Sequence, residues 1–209
     1  LKFLYILFYL AQQVKLVKIT SNNYKVPEPV LEMDIQIRGY ESSCKIRSSI
    51  CGGNIMQDEM FMKKAIELSK LAVEHGNEPF GAVLVKNGEI VFSNENQIYT
   101  RHDPTFHGEA GLIREFCAQT GITDLHEYTL YSSCEPCFMC SGAMVWVKLG
   151  RLVYGASNID LEHILGNTGC NCSKMVFDNS FWQPQVSEGV LREESLSILK
   201  EYFYNHAKG

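Results

Sequence analysis

Apolar and polar positions along the middle of the chain predict a helix followed by a hairpin. Downstream of Asp58, apolar residues recur at spacings of three and four as far as Gly76. That spacing is typical of an amphipathic helix with an aspartate N-cap and a glycine stop. Residues 81–86 and 89–93 are largely apolar and flank an Asn-Gly pair. Because that pair readily adopts positive φ, it predicts a two-residue hairpin turn.

The rest of the chain alternates between predicted helices and strands. We predict a helix from His107 to about Gly121, a strand at 128–132, a helix at 137–147, a strand at 151–156, a weaker strand at 186–190 and a helix at 193–205. No element is assigned to residues 157–185. Strands joined through helices lie parallel, whereas a hairpin is antiparallel. We therefore predict an α/β fold, a three-layer α/β/α sandwich around a mixed five-stranded sheet.

Residues 12–55 lack sustained periodicity of either the helical or the strand kind. Residues 1–11 are apolar but fall short of the roughly 20 residues that span a membrane, although they resemble the apolar part of a signal peptide. Codons for residues 52–55 would be purine-rich, as in a ribosome-binding site ahead of a Met56 start. We hypothesise that residues 1–55 are an upstream read-in outside the fold and that residues 56–209 form the domain. A genuine extension or targeting segment is the alternative.

Composition indicates one globular domain without a strongly charged partner. The chain has 209 residues, of which 45% are hydrophobic and 21% charged, and its formal net charge is -5. An extended nucleic-acid surface is therefore not indicated, although a local basic patch stays open. The eight cysteines show no disulfide framework, and Cys170 and Cys172 are poorly spaced to chelate a second metal. We expect a cytoplasmic protein with no membrane partner.

Two short segments carry the candidate chemistry, His-Gly-Glu at 107–109 and Pro-Cys-Phe-Met-Cys at 136–140. They supply one imidazole and two thiolates, the ligand set of a catalytic zinc site with one open position. Cys137 and Cys140 are three residues apart, so both face the same side of a helix. The positive end of that helix favours the thiolate form. We predict one Zn²⁺ per chain, bound by His107, Cys137 and Cys140.

Glu109 separates a catalytic zinc site from a structural one. A structural site would use a fourth Cys or His, such as Cys134, and would leave Glu109 without a purpose. The Cys-x-x-Cys pair alone would also suit a redox dithiol. His107 and Glu109 favour the catalytic zinc site over both alternatives.

The order His-x-Glu and Pro-Cys-x-x-Cys resembles the zinc-dependent nucleobase deaminases of the cytidine deaminase superfamily. The resemblance extends over about residues 58–155. It implies that Glu109 is the catalytic proton shuttle between a zinc-activated water, the ring nitrogen and the departing ammonia. It further implies two substrate contacts, the Asn96 side chain and the Gly108 backbone N–H. We also expect the Phe80 ring to close one side of the pocket. A turn role for Asn96 and a core role for Phe80 are the alternatives.

The branches of the superfamily disagree about the substrate. Residues 78–83 and 133–137 resemble bacterial guanine deaminase, whereas residues 101–105 and 150–156 resemble the tRNA adenosine deaminases. Gly108 stands where both branches usually have alanine and is shared with the cytosine deaminase branch. Residues 161–182 match no branch.

The charge of the final helix and the family resemblance lead to further expectations about substrate and partners. The final helix is acidic, whereas a tRNA backbone requires Lys and Arg. This favours a small base or nucleoside, of guanine or cytosine type, with tRNA adenosine deamination at the anticodon wobble position as the alternative. A catalytically silent partner subunit is disfavoured by Glu109. The resemblance implies a homodimer, with residues 144–147 as candidate contacts unless they are buried in the core.

Overall fold

The computed structural model describes residues 50–206 and the side chains of residues 56–205. Most of the segment 1–55 lies outside the described residues. The hypothesis that translation begins at Met56, and that the domain is 56–209, therefore stays a prediction.

Helices and strands alternate along the described chain. In order they are α1 (Ile50–Glu74), β1 (Gly81–Lys86), β2 (Glu89–Glu95), α2 (Gly108–Thr120), β3 (Thr129–Cys134), α3 (Phe138–Trp146), β4 (Arg151–Ala156), α4 (Asn158–Ile164), α5 (Cys172–Asp178), β5 (Gln185–Ser187) and α6 (Arg192–His206). None of these helices is long and apolar enough to cross a membrane.

The five strands form one mixed sheet in the order β2-β1-β3-β4-β5. Strand β1 runs antiparallel to β2 and β3, whereas β3, β4 and β5 run parallel to one another. The β1–β2 connection is the predicted hairpin, because Asn87 and Gly88 have φ values of 53° and 80°. The predicted mixed sheet is confirmed.

Alternate side chains of the sheet face two separate hydrophobic layers. On β1, Ala82 and Leu84 pack in a cluster that includes side chains of α2 and α3. Val83 and Val85 point the other way, into a cluster with side chains of α1 and α6. Because successive residues of a strand face opposite sides, this alternation places helices on both faces. The three-layer α/β/α arrangement is thereby confirmed.

The prediction that Asp58 caps the first helix is wrong. The helix begins at Ile50, and Asp58 lies within it as a buried side chain. Its carboxylate accepts hydrogen bonds from both terminal nitrogens of Arg151, at 2.8 and 2.7 Å, and from the Tyr131 hydroxyl at 2.7 Å. A carboxylate satisfied by a paired guanidinium has no need of free helix N–H groups. The predicted stop is correct, since α1 ends just before Gly76, which has φ 81°.

Two short helices lie in the region to which no element was assigned. Helices α4 and α5 have seven residues each, about two turns, which is too short for an apolar repeat to stand out. Strand β5 is also shorter than predicted, with three residues. A local signal for α4 was present in the sequence, because Ser157 and Asp160 form a capping box at its start.

Candidate active site

Two helix N-termini bring the predicted ligands together. His107 is the N-cap of α2, with φ -66° and ψ 158°, and Cys137 is the N-cap of α3, with φ -66° and ψ 174°. Neither side chain caps its own helix by a hydrogen bond. Both side chains are therefore available to bind a metal ion.

His107, Cys137 and Cys140 form a group that fits a metal ion. One ligand atom from each residue lies within 4.8 Å of the others, and Cys137 Sγ is 3.7 Å from His107 Nδ1. Two ligands on a tetrahedral zinc, at Zn–S and Zn–N distances near 2.3 and 2.0 Å, are about 3.5 Å apart. The described residues thus hold one nitrogen and two sulfur donors at zinc-like separations.

The two sulfurs differ in their acidity. Hydrogen bonds from the Cys140 thiol and from His107 lower the pKa of Cys137 to about 4, although burial opposes the change. The same contact with Cys137, together with burial, raises the pKa of Cys140 well above its usual value. Cys137 is thus the more acidic of the two thiols. Since zinc binds thiolates, binding of the ion would require that Cys140 lose its proton as well.

Glu109 is buried in the first turn of α2, two residues after His107. Its Oε1 accepts a hydrogen bond from the Ser132 hydroxyl at 2.7 Å. Burial raises the pKa of Glu109, and the Ser132 hydrogen bond only partly offsets that effect. A carboxyl group with a raised pKa, held in one orientation, is suited to accept and return a proton.

The three residues predicted to contact the substrate lie close together, beside the first residue of β1. The Phe80 carbonyl accepts the Asn96 N–H at 2.8 Å, and a side chain at Gly108 would begin 3.4 Å from the same oxygen. Asn96 is fully buried, and its Oδ1 accepts the Ile98 N–H in a turn, as the alternative interpretation expected. Its Nδ2 has no partner among residues 56–205, however, which leaves one buried donor unsatisfied there. The roles of these residues stay predictions.

Phe80 has structural contacts as well. Phe80 packs against a small core cluster, as do Leu161 of α4 and Phe203 of α6; the cluster consists of Cys134, Ala156, Leu196 and Leu199. Phe80 is itself half-buried, so it lies beside the core and its role stays a prediction. Helices α4 and α6 therefore pack close to Phe80 at the candidate site, which the sequence did not indicate.

Two polar residues of this region were missed by sequence reasoning, Ser132 and Glu135. Ser132 orients Glu109, as described above. Glu135 is buried, and its Oε2 accepts the Asn158 N–H at 2.9 Å while its Oε1 accepts the Ser173 N–H and hydroxyl at 2.9 and 2.8 Å. It thereby ties the starts of α4 and α5 to the segment that leads to Cys137. The available signal was a run of polar residues at the carboxyl end of a buried strand.

The fold and site define a class of protein. A three-layer α/β/α domain that presents one histidine and two cysteines at helix starts, beside a buried glutamate, is a zinc-dependent hydrolase. The model of the cytidine and deoxycytidylate deaminase zinc-binding region matches residues 55–156. The chain belongs to this family and is a zinc-dependent deaminase.

Relatives of known activity divide between two substrates. Guanine deaminase of Bacillus subtilis (strain 168) is 42% identical over 134 residues, which are 64% of this chain and 79% of the relative. The tRNA-specific adenosine deaminase of the same organism is 37% identical over 147 residues, which are 70% of this chain and 89% of the relative. Deamination of a nucleobase or nucleoside unit is common to both.

Solved structures are similar in fold. A structure from a study of A-to-I editing by tRNA:A34 deaminases is 31% identical, with a TM-score of 0.59. The matched region comprises 66% of this chain and 98% of the chain in that structure. The guanine deaminase from Nitrosomonas europaea has a TM-score of 0.60 at 24% identity, over 70% of this chain and 84% of its own. The second likeness concerns the fold alone.

Proposed function

We propose that this protein hydrolytically deaminates a free nucleobase or nucleoside, of guanine or cytosine type, and releases ammonia. The observation that carries the proposal is the buried Glu109 carboxyl group, which Ser132 holds beside the three candidate zinc ligands. A zinc site without such a group has nothing to move protons between water and the leaving amine.

His107, Cys137 and Cys140 hold the ion in the proposed mechanism. Zinc, when bound, supplies a water whose pKa is lowered. Glu109 would accept a proton from water and pass it to a ring nitrogen as the resulting hydroxide adds to the ring carbon that bears the amine. It would then take the proton of the added hydroxyl group and deliver it to the amine, so that the C–N bond breaks, a carbonyl forms and ammonia leaves. The Asn96 Nδ2 donor and the Gly108 N–H orient the base by hydrogen bonds, and Phe80 bounds the site on one side.

Surface charge supports a small substrate. In the loop that resembles the tRNA deaminases, Arg101 pairs with Glu115 at 2.7 Å, and Arg114 pairs with Asp103 at 3.0 Å. Those guanidinium groups already face carboxylates, whereas a tRNA backbone requires free cations. The first turn of α6 carries two glutamates, which adds negative charge at its start.

A carboxylate also lies near the metal-binding group. Glu78 accepts a hydrogen bond from the Tyr99 hydroxyl at 3.2 Å. The pKa of His107 is raised chiefly by the hydrogen bond with Cys137, and the negative charges of Glu109 and Glu78 add to the effect. A negative charge at this position repels phosphate but tolerates a neutral base.

The test is ammonia release by the purified, zinc-loaded protein. The panel consists of guanine, cytosine, adenine, their nucleosides, and an anticodon stem-loop that carries adenosine. We expect turnover of one small base or nucleoside, its loss in Glu109→Ala with zinc retained, and full turnover in Glu127→Ala, which changes an exposed glutamate. Activity in Glu109→Ala would contradict the assigned role of that residue.

Deamination of tRNA adenosine at the wobble position is the second candidate. It is favoured by the tRNA:A34 deaminase structure, of which this chain covers 98%. Turnover of the stem-loop alone, with every small substrate inert, would replace the first proposal by this one.

We also propose that the protein is a cytoplasmic homodimer that functions in purine or pyrimidine metabolism. Within the candidate contact segment, Met144 and Val145 are buried in the core, but Trp146 is 77% exposed. Its ring packs against Phe181, itself 66% exposed, at 5.6 Å between centroids. An exposed aromatic pair suits a protein contact. Light scattering of wild type and Trp146→Glu would show a dimer that the substitution converts to monomer, and a wild-type monomer would contradict this proposal.

A further inference from the structure

A second pair of cysteines lies outside the metal-binding group. Cys170 Sγ and Cys172 Sγ are 3.6 Å apart, which is van der Waals contact. Cys170 is exposed, and Cys172 is buried at the first position of α5. Among the described residues, neither belongs to the cluster that can hold a metal ion.

The backbone between the two cysteines favours a bond between them. Asn171 has φ -80° and ψ 87°, close to an inverse γ-turn. That compact conformation brings the flanking Cα atoms within the roughly 4.4–6.8 Å that a disulfide spans. To become a covalent bond, the 3.6 Å contact must shorten by about 1.5 Å, which moves Cys170 and the start of α5 towards each other.

The two thiols are suited to different steps of an oxidation. Cys170 is open to solvent, so its thiolate can reach a dissolved oxidant. Cys172 is 5% exposed, which shields its sulfur from the oxidant, but its Sγ lies 3.6 Å from Cys170 Sγ and is placed to attack an oxidised Cys170. Burial above all raises the pKa of the Cys172 thiol, so this second step is the slower one.

We infer that Cys170 and Cys172 form a reversible disulfide on exposure to hydrogen peroxide, and that this bond weakens the metal centre through Glu135. The Cys170 thiolate attacks peroxide, the O–O bond breaks, and a sulfenic acid and hydroxide form. The Cys172 sulfur then attacks Cys170, the S–O bond breaks, and water leaves. In sum, two thiols and one peroxide give one disulfide and two waters, and a dithiol reductant reverses the change.

The route to the metal centre runs through adjacent residues. Ser173 follows Cys172 and donates two hydrogen bonds to Glu135, while the Asn158 side chain donates to the Cys170 carbonyl at 3.2 Å. Glu135 precedes the ligand Cys137 by two residues. Shortening the S–S separation from 3.6 Å to about 2.05 Å therefore displaces the helix start that holds Glu135.

The test treats the zinc-loaded full chain with hydrogen peroxide and measures two quantities that need no substrate. Intact mass and peptide mapping report the disulfide, and a colorimetric chelator reports the rate of zinc release. We expect a loss of about 2 Da on the peptide that contains Cys170 and Cys172. We expect zinc release to become about 10-fold faster, in the range found when groups that support a ligand are disturbed.

Matched variants separate this site from other oxidation. Cys170→Ser should show neither change, whereas Cys117→Ser, which alters a cysteine outside both pairs, should respond like wild type. Both changes should reverse with dithiothreitol. Oxidation of Cys170 that stops at a sulfinic acid overturns the inference, as does a disulfide that leaves the zinc-release rate unchanged. These readouts stand even if the proposed substrate is wrong.

Discussion

Helices α2 and α3 begin differently from helices α4 and α5. The first pair starts at His107 and Cys137, whose side chains face a common metal site and make no capping hydrogen bond. The second pair starts at Ser157 and Asn171, whose side chains accept the N–H groups of Asp160 and Lys174. The site-forming helices thus forgo caps worth about 1 kcal/mol each and keep their positive ends directed at the ligands. The supporting helices keep their caps.

The largest effect should follow from changing a metal-facing N-cap. Cys137→Ser removes one of three zinc ligands, so zinc content should fall close to zero and turnover should fall by more than about 100-fold. Elemental analysis after dialysis and the ammonia assay measure the two effects. Cys117→Ser is the control and should retain both. A Cys137→Ser protein that keeps zinc and activity would break the distinction between the two kinds of cap.

A smaller loss should follow when the proton shuttle loses its support. Ser132→Ala removes the hydrogen bond to Glu109 Oε1, so kcat should fall by about 10–100-fold with KM and zinc content little changed. The adjacent Ser133→Ala removes a hydrogen bond to the Gly81 N–H and should leave kcat within about threefold. Equal losses of kcat in both variants would show that Ser132 acts only on stability.

Changing a structural N-cap should affect stability alone. Ser157→Ala removes the capping box of α4 and should lower the free energy of unfolding by about 1 kcal/mol. Urea titration measures the change as a lower midpoint with the same slope. Ser197→Ala, at an exposed position of α6, should leave the midpoint unchanged. A Ser157→Ala protein with normal stability but impaired turnover would reverse the assignment.

The same capping box should have a small acid dependence. Burial raises the pKa of Asp160, but hydrogen bonds from Arg192 and Ser157 outweigh it and lower the pKa to about 2. A depressed folded-state pKa stabilises the protein above the unfolded pKa of about 3.9, and this contribution is lost as pH falls towards 2. The stability difference between wild type and Asp160→Asn should therefore shrink between about pH 4 and 2. Urea titrations of the zinc-free proteins measure it.

The control for this acid dependence is Asp178→Asn, which changes an exposed aspartate paired with Lys174 across one helical turn. Its stability difference from wild type should be much smaller at every pH. A difference for Asp160→Asn that grows towards pH 2 would have the wrong sign for a depressed pKa.

Patterns of neighbouring residues correctly predicted the features that depend only on neighbouring residues. The Asn-Gly turn, the helix start at His107 and the Cys137–Cys140 spacing depend on residues a few positions apart, and all three are confirmed. Ser132 could not be assigned a role in the same way. Its hydroxyl meets Glu109 only because β3 lies beside the start of α2, 23 residues away in the sequence.

The first helix shows the opposite error, a local pattern that misled. Asp58 preceding an apolar repeat is a sound N-cap signal, but its partner Arg151 lies on β4. A long-range ion pair leaves no trace in a window of a few residues. The short helices α4 and α5 were missed for a related reason, since Glu135, which follows β3, fixes their starts from 23 and 38 residues away.

The pairing of Asp58 with Arg151 has a consequence for synthesis on the ribosome. The two residues are 93 positions apart, so α1 leaves the exit tunnel long before its partner has been translated. During that interval the carboxylate is solvated and the apolar face of α1 has no β4 to cover it. Nascent chains that end before residue 151 should therefore depend on chaperones, and the domain should acquire protease resistance only after β4 emerges.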